Sequence, residues 1–273
     1  MRLEKMQGAD KHRKPGKPFV LLSSGRSGTN FLISKLLMTR QALVGWEPFN
    51  TPLFGYENQA YFSIAPQVID RMNDVGFRDN DPDGYLLYCG GLTGAIDGSG
   101  VRVSGFKIFL DHNEKMYWKM TCDTRFKALV LQRGSVLSAY SSWQIALQTN
   151  EWTKVDRVKP AGAPDQITIE FDPSGFETYA NIYRARFQKT VENLEAAGVE
   201  YLKFYYEDLV SNSECFESVL SFLGIESDAI GESWVEKQND PNVLKRFSNP
   251  ELVLPYLERE EQDELLRINH REF

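Results

Sequence analysis

Residues 19–32 read FVLLSSGRSGTNFL, an apolar run that leads through a turn with two glycines into a pattern of helical spacing. The run FVLLSS is apolar enough for a buried parallel strand, and the residues after the turn repeat apolar side chains as a helix does. In such a strand–turn–helix unit, the first N–H groups and the positive end of the helix dipole lie beyond the strand and bind anions. The stretch therefore predicts a phosphate-binding loop, to which Arg26 adds a cation and Thr29 a hydroxyl group.

This loop differs from the phosphate loop of ATP-dependent proteins. That loop ends in Lys followed by Ser or Thr, because the Lys contacts the terminal phosphates and the hydroxyl group binds Mg²⁺. Here Gly28 is followed by Thr29 and Asn30. The sequence therefore disfavours an ATP–Mg²⁺ site. An ordinary turn, whose glycines serve only its backbone geometry, is an alternative explanation of this motif by itself.

Segments typical of strands and helices alternate through much of the chain. Further strands are predicted at 104–110, 126–132 and 199–206, and helices at 112–120, 135–148, 177–198 and 215–224. Strands that alternate with helices form parallel sheets with right-handed crossovers. Together with the first loop, this order predicts an α/β fold of the P-loop-like three-layer kind, in which helices flank a central parallel sheet.

The length of 273 residues suits a single α/β domain, which we assign to residues 18–273. Residues 1–17 are basic and lack the apolar core of a signal peptide, so we expect a flexible tail. Two irregular inserts, near 51–100 and 150–175, contain many Gly, Pro, aromatic and polar residues, and we predict no regular elements there. Inserts of this kind often form the wall or lid of a binding site.

The composition is typical of a soluble globular protein, with 42% hydrophobic and 25% charged residues. A net charge of −7 argues against a general nucleic-acid or anionic-membrane surface, so an anion site must be built from a few local cations. No segment approaches the ~18 apolar residues of a transmembrane helix. Cys89, Cys122 and Cys215 are too scattered to predict a zinc site or a disulfide framework. We therefore expect a cytoplasmic protein with reduced thiols and no metal.

A second candidate anion site follows the strand predicted at 126–132. Arg133 comes directly after this strand, and Ser141 follows eight residues later, about two turns into the next helix. A guanidinium group and a hydroxyl group are suitable ligands for a second phosphate. Since the carboxyl ends of parallel strands share one edge, the two sites together indicate a nucleotide phosphorylated at two positions. A surface arginine and an unrelated helical serine are the alternative.

These motifs, in this order, resemble those of the sulfotransferase family, whose members use 3′-phosphoadenosine 5′-phosphosulfate (PAPS) as donor. SSGRSGTNFL resembles the loop for the 5′-phosphosulfate, and RGSVLSAYS resembles the motif for the 3′-phosphate. The stretches YYEDLVSN and KQNDPNVLKRFSNPELV are similar to two later family segments, and SSWQIALQTNEW is similar to bacterial carbohydrate sulfotransferases. The resemblance covers roughly residues 18–255. It implies the following donor-binding residues: Ser24, Gly25, Arg26, Ser27, Gly28, Thr29, Asn30, Arg133, Ser141 and Lys237.

The resemblance also implies the chemistry, which is transfer of a sulfuryl group to an acceptor hydroxyl or amine. Negative charge grows on the 5′-phosphate as its bond to sulfur breaks. Arg26 and the N–H groups of residues 27–30 would stabilise this charge, so that Arg26 takes part in catalysis. In-line positioning and charge stabilisation do most of the work in such a transfer, and no metal is required.

A general base must take the proton of the acceptor hydroxyl. The first candidate is Glu47 in GWEPFN, at the position where related carbohydrate sulfotransferases carry a catalytic glutamate. The second is His112 in FKIFLDHN, at the end of a strand where other family members carry a catalytic histidine; its titration range suits the role. Asp111 is a third candidate. Lys107 on the same strand either helps to hold the donor or is an ordinary surface lysine.

The resemblance favours a small-molecule or glycan acceptor, and specifically a hydroxyl group of a carbohydrate or glycolipid. Aromatic rings that could stack on sugar faces, or equally belong to the core, are Trp46, Phe49, Phe54, Tyr56, Trp143 and Trp152. Two other functions stay open, namely a P-loop small-molecule kinase and a non-catalytic nucleotide-binding protein of the same fold. The sequence carries no signal for an oligomeric state.

Overall fold

A computed structural model describes residues 15–50, 62–152, 167–226 and 242–260. Within these ranges, five parallel strands form one sheet in the order β2-β3-β1-β4-β5. The strands are β1 (Phe19–Ser23), β2 (Ala42–Gly45), β3 (Val103–Phe109), β4 (Lys127–Gln132) and β5 (Tyr201–Tyr205). Because β1 is the central strand, the loop that follows it lies in the middle of the carboxyl edge of the sheet.

Helices cover both faces of this sheet. They are α1 (Thr29–Met38), α2 (Pro66–Met72), α3 (Val75–Asn80), α4 (Pro82–Cys89), α5 (Glu114–Met120), α6 (Val136–Thr149), α7 (Pro173–Ala197), α8 (Tyr206–Ser211) and α9 (Ser213–Leu223). Alternate strand residues face opposite sides: Val20 and Leu22 belong to the core with α4 to α7, whereas Phe19 and Leu21 belong to the core with α1 and α9. The predicted α/β fold, with a central parallel sheet between layers of helices, is therefore confirmed. None of the described helices is long and apolar enough to cross a membrane.

The predicted strands at 104–110, 126–132 and 199–206 correspond to β3, β4 and β5. Strand β2 is not predicted from the sequence, since its four residues ALVG are too few to show a pattern and directly precede a turn around Pro48. The predicted strand at 199–206 also exceeds β5 by two residues at its start and by one at its end, where Tyr206 is aromatic and apolar enough to continue a strand. In the structure, Tyr206 begins the short helix α8.

The insert near 51–100 contains three short helices within its described part, residues 62–100, although no regular element is predicted there. The polar run DNDPDG at 79–84, which is typical of a loop, forms the junction between α3 and α4. Asp81 caps α4 by accepting a hydrogen bond from the backbone N–H of Gly84. Pro82 occupies the first helical turn, where its missing N–H donor is tolerated. Residue types that favour a turn therefore begin a helix here.

The strand register brings three loops to one edge of the sheet. Ser23 of β1 pairs with Phe109 of β3, and Leu22 pairs with Val130 of β4. The loops that follow β1, β3 and β4 therefore begin side by side. This edge gathers most of the candidate site residues, although they are far apart in sequence.

Candidate functional site

The predicted phosphate-binding loop lies between β1 and α1, and Gly28 is its tightest point. Gly28 has a φ of +83°, a conformation that residues with a Cβ atom rarely adopt. An added Cβ atom would lie 2.0 Å from the ring of Tyr206. Glycine is therefore required here for two reasons, its backbone angle and the close packing of Tyr206 on the loop.

The rest of the loop leads into the first turn of α1. Ser27 is buried, and its Oγ atom lies 3.2 Å from the hydroxyl oxygen of Tyr183. Thr29 is also buried and begins the helix. Since the first N–H groups of a helix have no hydrogen-bond acceptor within the helix, this turn offers donors to an anion. The remaining predicted loop residues are half-buried: Ser24, Gly25 and Asn30.

Arg26 has a left-handed backbone, with a φ of 67°, and its side chain contacts α6 and the segment after it. Its Nε atom donates a hydrogen bond to Ser142 Oγ at 2.8 Å, and its Nη1 atom donates to the carbonyl oxygen of Trp152 at 2.5 Å. Burial and the nearby charge of Arg133 lower the pKa of Arg26 to about 10. Arg26 is therefore a positively charged group at neutral pH, in an environment that favours a bound anion.

Arg133 lies directly beside this loop, as the sequence predicts for two residues that follow neighbouring strands. Its Nη1 atom donates to the carbonyl oxygen of Arg26 at 3.4 Å, and its guanidinium group lies 4.5 Å from the ring centre of Tyr206. Its Nε atom donates to Glu207 at 3.2 Å, and its backbone N–H donates to the hydroxyl oxygen of Tyr183 at 2.8 Å. The two arginines that were assigned to separate phosphates thus share one positively charged region.

Ser141 is completely buried on α6, and its hydroxyl group contacts Arg246. Ser141 Oγ accepts a hydrogen bond from Arg246 Nη1 at 3.0 Å and lies 3.2 Å from the carbonyl oxygen of Ser138. The neighbouring Ser142, and not Ser141, contacts Arg26. The sequence analysis did not single out Ser142 or Arg246, although Arg246 lies in the quoted stretch KQNDPNVLKRFSNPELV. Lys237, in the same stretch, lies outside the described residues.

Both main candidates for the general base belong to one cluster. Glu47 follows β2, and its side chain is only 13% exposed. Its Oε1 atom lies 2.8 Å from Lys107 Nζ, and its Oε2 atom accepts a hydrogen bond from Asn50 Nδ2 at 2.8 Å. His112 Nδ1 lies 3.5 Å from the same Oε2 atom. Lys107 is thus a buried residue of this cluster and not a surface lysine.

Lys107 connects this cluster to the phosphate-binding loop. Its Nζ atom donates a hydrogen bond to Asn30 Oδ1 at 2.6 Å, in the first turn of α1, and is simultaneously paired with Glu47. The side chain is 2% exposed, and this burial lowers the pKa of Lys107, while the charge of Glu47 opposes the shift. A single buried ammonium group therefore joins the loop to the candidate base.

His112 lies in an environment that favours its neutral form. Burial lowers its pKa, as does the charge of Lys107, whereas Glu47 and Asp111 oppose the shift. The Nδ1 atom of His112 is buried without a hydrogen-bond partner among the described residues, because its approach to Glu47 lacks hydrogen-bond geometry. Asp111, the third candidate base, forms an exposed ion pair with Arg186 at 2.7 Å.

Two carboxylates occupy the N-terminus of α6, next to Arg133. Glu207 accepts a hydrogen bond from the backbone N–H of Gly134 at 2.7 Å. Glu260, in the helical residues 254–260, accepts from Ser135 Oγ at 2.7 Å and from the backbone N–H of Leu137 at 2.6 Å. Because these N–H groups already have carboxylate partners, an anion near Arg133 would bind its side chain and not the start of α6.

The aromatic residues that the sequence analysis named have different environments. Phe49 is buried in the core, and Trp46 lies 5.4 Å from Lys107 Nζ. Trp143 is half-buried and stacks on Tyr179 at 5.5 Å between ring centres. Trp152 is 46% exposed, and its carbonyl group contacts Arg26. Phe54 and Tyr56 lie outside the described residues.

A metal-binding cluster is not found in the part of the chain that the structure describes, where no group of three or more His, Cys, Asp or Glu side chains is arranged to hold an ion. The positively charged side chains described above at this edge are Arg26, Lys107 and Arg133.

Comparisons with known proteins gave matches among solved structures. No family model matches this chain, and no curated protein does. A sulfotransferase from Alicyclobacillus acidocaldarius is similar over 94% of this chain and 98% of its own, with 17% identity and a TM-score of 0.45. The mouse sulfotransferase SULT7A1, in complex with PAP, is similar over 80% of this chain and 62% of its own, with 11% identity and a TM-score of 0.38.

The carboxyl group of Glu260 predicts a pH-dependent contribution to stability. Burial raises its pKa from 4.5 to about 7, although its hydrogen bonds to Ser135 and Leu137 oppose the shift. Between these two pH values the folded protein retains a proton that the unfolded chain releases. Stability should therefore fall as the pH rises through this window, by up to about 3 kcal/mol from this group.

Urea unfolding at pH 5 and pH 8 measures this effect. Glu260→Gln should reduce the difference in unfolding free energy between the two pH values. Glu258→Gln is the matched control, because it removes an exposed carboxylate from the same helical segment. A difference that is equal in Glu260→Gln and the wild type would contradict the prediction.

Proposed function

We propose that this protein is a sulfotransferase that moves a sulfuryl group from PAPS to an acceptor hydroxyl, on a carbohydrate or glycolipid. The observation that carries the proposal is the link through Lys107. Its ammonium group contacts Asn30 at the start of α1 and Glu47 at the candidate base. An anion loop and a buried carboxylate are thus held within the reach of one side chain, as a group transfer to a hydroxyl requires.

The charges of the site support a donor with two anionic ends. Arg133 contacts the backbone of Arg26 and its charge lowers the pKa of Arg26, so that bound anions would reduce the repulsion between the two arginines. Residues 24–30 would hold the 5′-phosphosulfate, and the side chain of Arg133 would hold the 3′-phosphate. When bound, the donor supplies a sulfuryl group attached to a leaving phosphate.

The leaving phosphate is the charge that the loop is suited to stabilise. Arg26 and the N–H groups at the start of α1 would strengthen their hydrogen bonds as negative charge develops there. Donors of this kind contribute a factor of roughly 10² to 10³ in rate each. This role needs no Lys–Ser/Thr pair and no Mg²⁺, which is consistent with the residues that follow Gly28.

Glu47 is the proposed base for the proton of the acceptor hydroxyl. Lys107 and Asn50 each hold one of its two carboxylate oxygens, and each oxygen keeps a further lone pair for a substrate proton. The neutral His112 beside it is the alternative base. Trp152 is 46% exposed, and its carbonyl oxygen accepts a hydrogen bond from Arg26, which supports an acceptor with sugar rings beside the loop.

Incubation with isotopically labelled PAPS and a panel of sugar and phenolic acceptors tests the proposed function, with the products identified by mass. We expect one sulfuryl group on a sugar hydroxyl, without added metal. Binding of the nucleotide without transfer to any acceptor would favour a non-catalytic nucleotide-binding protein. Transfer that requires Mg²⁺ and a nucleoside triphosphate would favour a kinase.

Replacing Glu47 separates the base from donor binding. Glu47→Gln keeps the size of the side chain and removes its ability to take a proton, so kcat should fall by about 10² to 10⁴. Affinity for adenosine 3′,5′-bisphosphate, measured by calorimetry, should change little. Glu200→Gln is the control, since it makes the same change at an exposed carboxylate that pairs with Lys17. Nearly normal turnover by Glu47→Gln would move the role of base to His112.

Replacing Arg133 tests the assignment of the 3′-phosphate. Arg133→Ala should weaken binding of adenosine 3′,5′-bisphosphate by about 10- to 100-fold, the loss expected for a charged hydrogen bond. Binding of adenosine 5′-phosphate should change much less. Arg259→Ala, which removes an exposed arginine paired with the exposed Glu177, controls for net charge. Equal losses for both nucleotides would remove the assignment.

A further inference from the structure

The turn that carries Glu47 contacts the helices α3 and α4 of the insert near 51–100. Arg78 on α3 donates a hydrogen bond from Nη1 to the carbonyl oxygen of Pro48 at 2.9 Å. Its side chain is 8% exposed, and its Nε atom donates to Asp79 Oδ1 at 2.7 Å. The residue directly after Glu47 in the chain is therefore anchored to a helix of the insert by a buried contact.

The next residue of the turn is anchored by its ring. Phe49 packs edge-on against Tyr85 of α4 and is tilted against Phe106 of β3, both at 5.7 Å between ring centres. Tyr85 is itself held by a hydrogen bond from its hydroxyl group to the carbonyl oxygen of Met72, at 2.8 Å. Helices α3 and α4 thus fix two consecutive residues of the turn, one by a hydrogen bond and one by packing.

The burial of Arg78 is informative because a guanidinium group loses much hydration when it leaves water. Its ion-pair partner Asp79 is 61% exposed, and such a partner on the surface contributes little by itself. The contact with Pro48 uses the buried part of the guanidinium group. A charged donor forms a stronger hydrogen bond to a backbone carbonyl than a neutral one, so it restricts the orientation of the peptide group after Glu47.

We propose that Arg78 is a positioning residue, which acts through the Pro48 carbonyl to hold the carboxylate of Glu47 against Lys107 and His112. The insert then holds the candidate base in position from outside the active site. The effect of the Arg78–Pro48 contact on catalysis rests on the proposed function. The contact itself does not, and it can be tested without turnover.

Turnover provides the first test. Arg78→Met should lower kcat by about 10-fold or more, since small displacements of a catalytic group have large effects, with little change in KM for the donor. Arg78→Lys keeps the charge and should restore part of the rate. In a Glu47→Gln background, Arg78→Met should cause little further loss, because the group that it positions is already inactive.

Arg71→Met is the matched control. Arg71 lies on α2 of the same insert, forms an ion pair with Asp74, and lies 3.6 Å from the ring centre of Phe77. It is 47% exposed, and the substitution is chemically identical. Its turnover should equal that of the wild type. A similar loss of turnover in Arg71→Met and Arg78→Met would mean that the insert matters only for general stability, and would overturn the proposal.

The imidazole of His112 reports on the position of Glu47 without any reaction. Glu47 and Asp111 raise its pKa against burial and Lys107, so a displaced Glu47 should let the pKa of His112 fall further. NMR titration of the ring can follow this change, because the chain has only 3 histidines and His112→Gln assigns the signal. Glu47→Gln gives the shift for complete loss of the carboxylate charge.

Arg78→Met should shift the titration of His112 in the same direction as Glu47→Gln, and Arg71→Met should leave it unchanged. An unchanged His112 titration in folded Arg78→Met would overturn the proposal, whatever its turnover. If Arg78→Met does not fold, Arg78→Lys is titrated instead, with a smaller shift expected and no shift contradicting the proposal. If the wild type transfers sulfuryl groups to no acceptor, the proposed function fails, while the titration still decides the role of Arg78.

Discussion

The buried ammonium group of Lys107 is the constraint on which the rest of the site depends. A charge that is 2% exposed must be neutralised and hydrogen-bonded, because burial in the protein interior disfavours it. Its partners come from two different elements, Asn30 at the start of α1 and Glu47 after β2. Movement of the Glu47 turn would leave this charge unpaired, and movement of the loop would remove one of its hydrogen bonds. The anion loop and the candidate base are therefore held at a fixed separation.

The second constraint is the repulsion between cations at the carboxyl edge of the sheet. Arg26 and Arg133 are adjacent. The carboxylate of Glu207 offsets part of the positive charge of Arg133, on the side that faces α6. Together with Glu260, it also occupies N–H groups that would otherwise bind an anion at the start of α6. The side chains thus direct an incoming anion toward the arginines and the start of α1. In a chain of net charge −7, this local excess of positive charge is a distinct feature.

Much of the fold and part of the site could be predicted from the sequence. The loop at 24–28 and the strands β3 to β5 carry strong local signals, since glycine spacing and apolar runs depend on neighbouring residues. The helices of the insert could not be predicted, because they have six to eight residues each and are stabilised by packing and caps such as Asp81. Arg78 shows the same limit, because a polar residue in a loop-like sequence gives no sign that its guanidinium group will be buried against Pro48.

The sequence by itself predicted most of the order of strands and helices, apart from β2, α2 to α4 and α8, and it indicated the loop at 24–30 and the residues Arg26, Arg133, Glu47 and His112 as candidates. It did so because these features are properties of short segments. Only the tertiary structure decided which candidates meet. It paired Glu47 with Lys107, directed Asp111 to Arg186, and enclosed Ser141 against Arg246 while Ser142 contacts Arg26. These contacts join residues far apart in the chain, and they arise because side chains in a packed interior must satisfy their charges and hydrogen bonds with whatever the fold brings near.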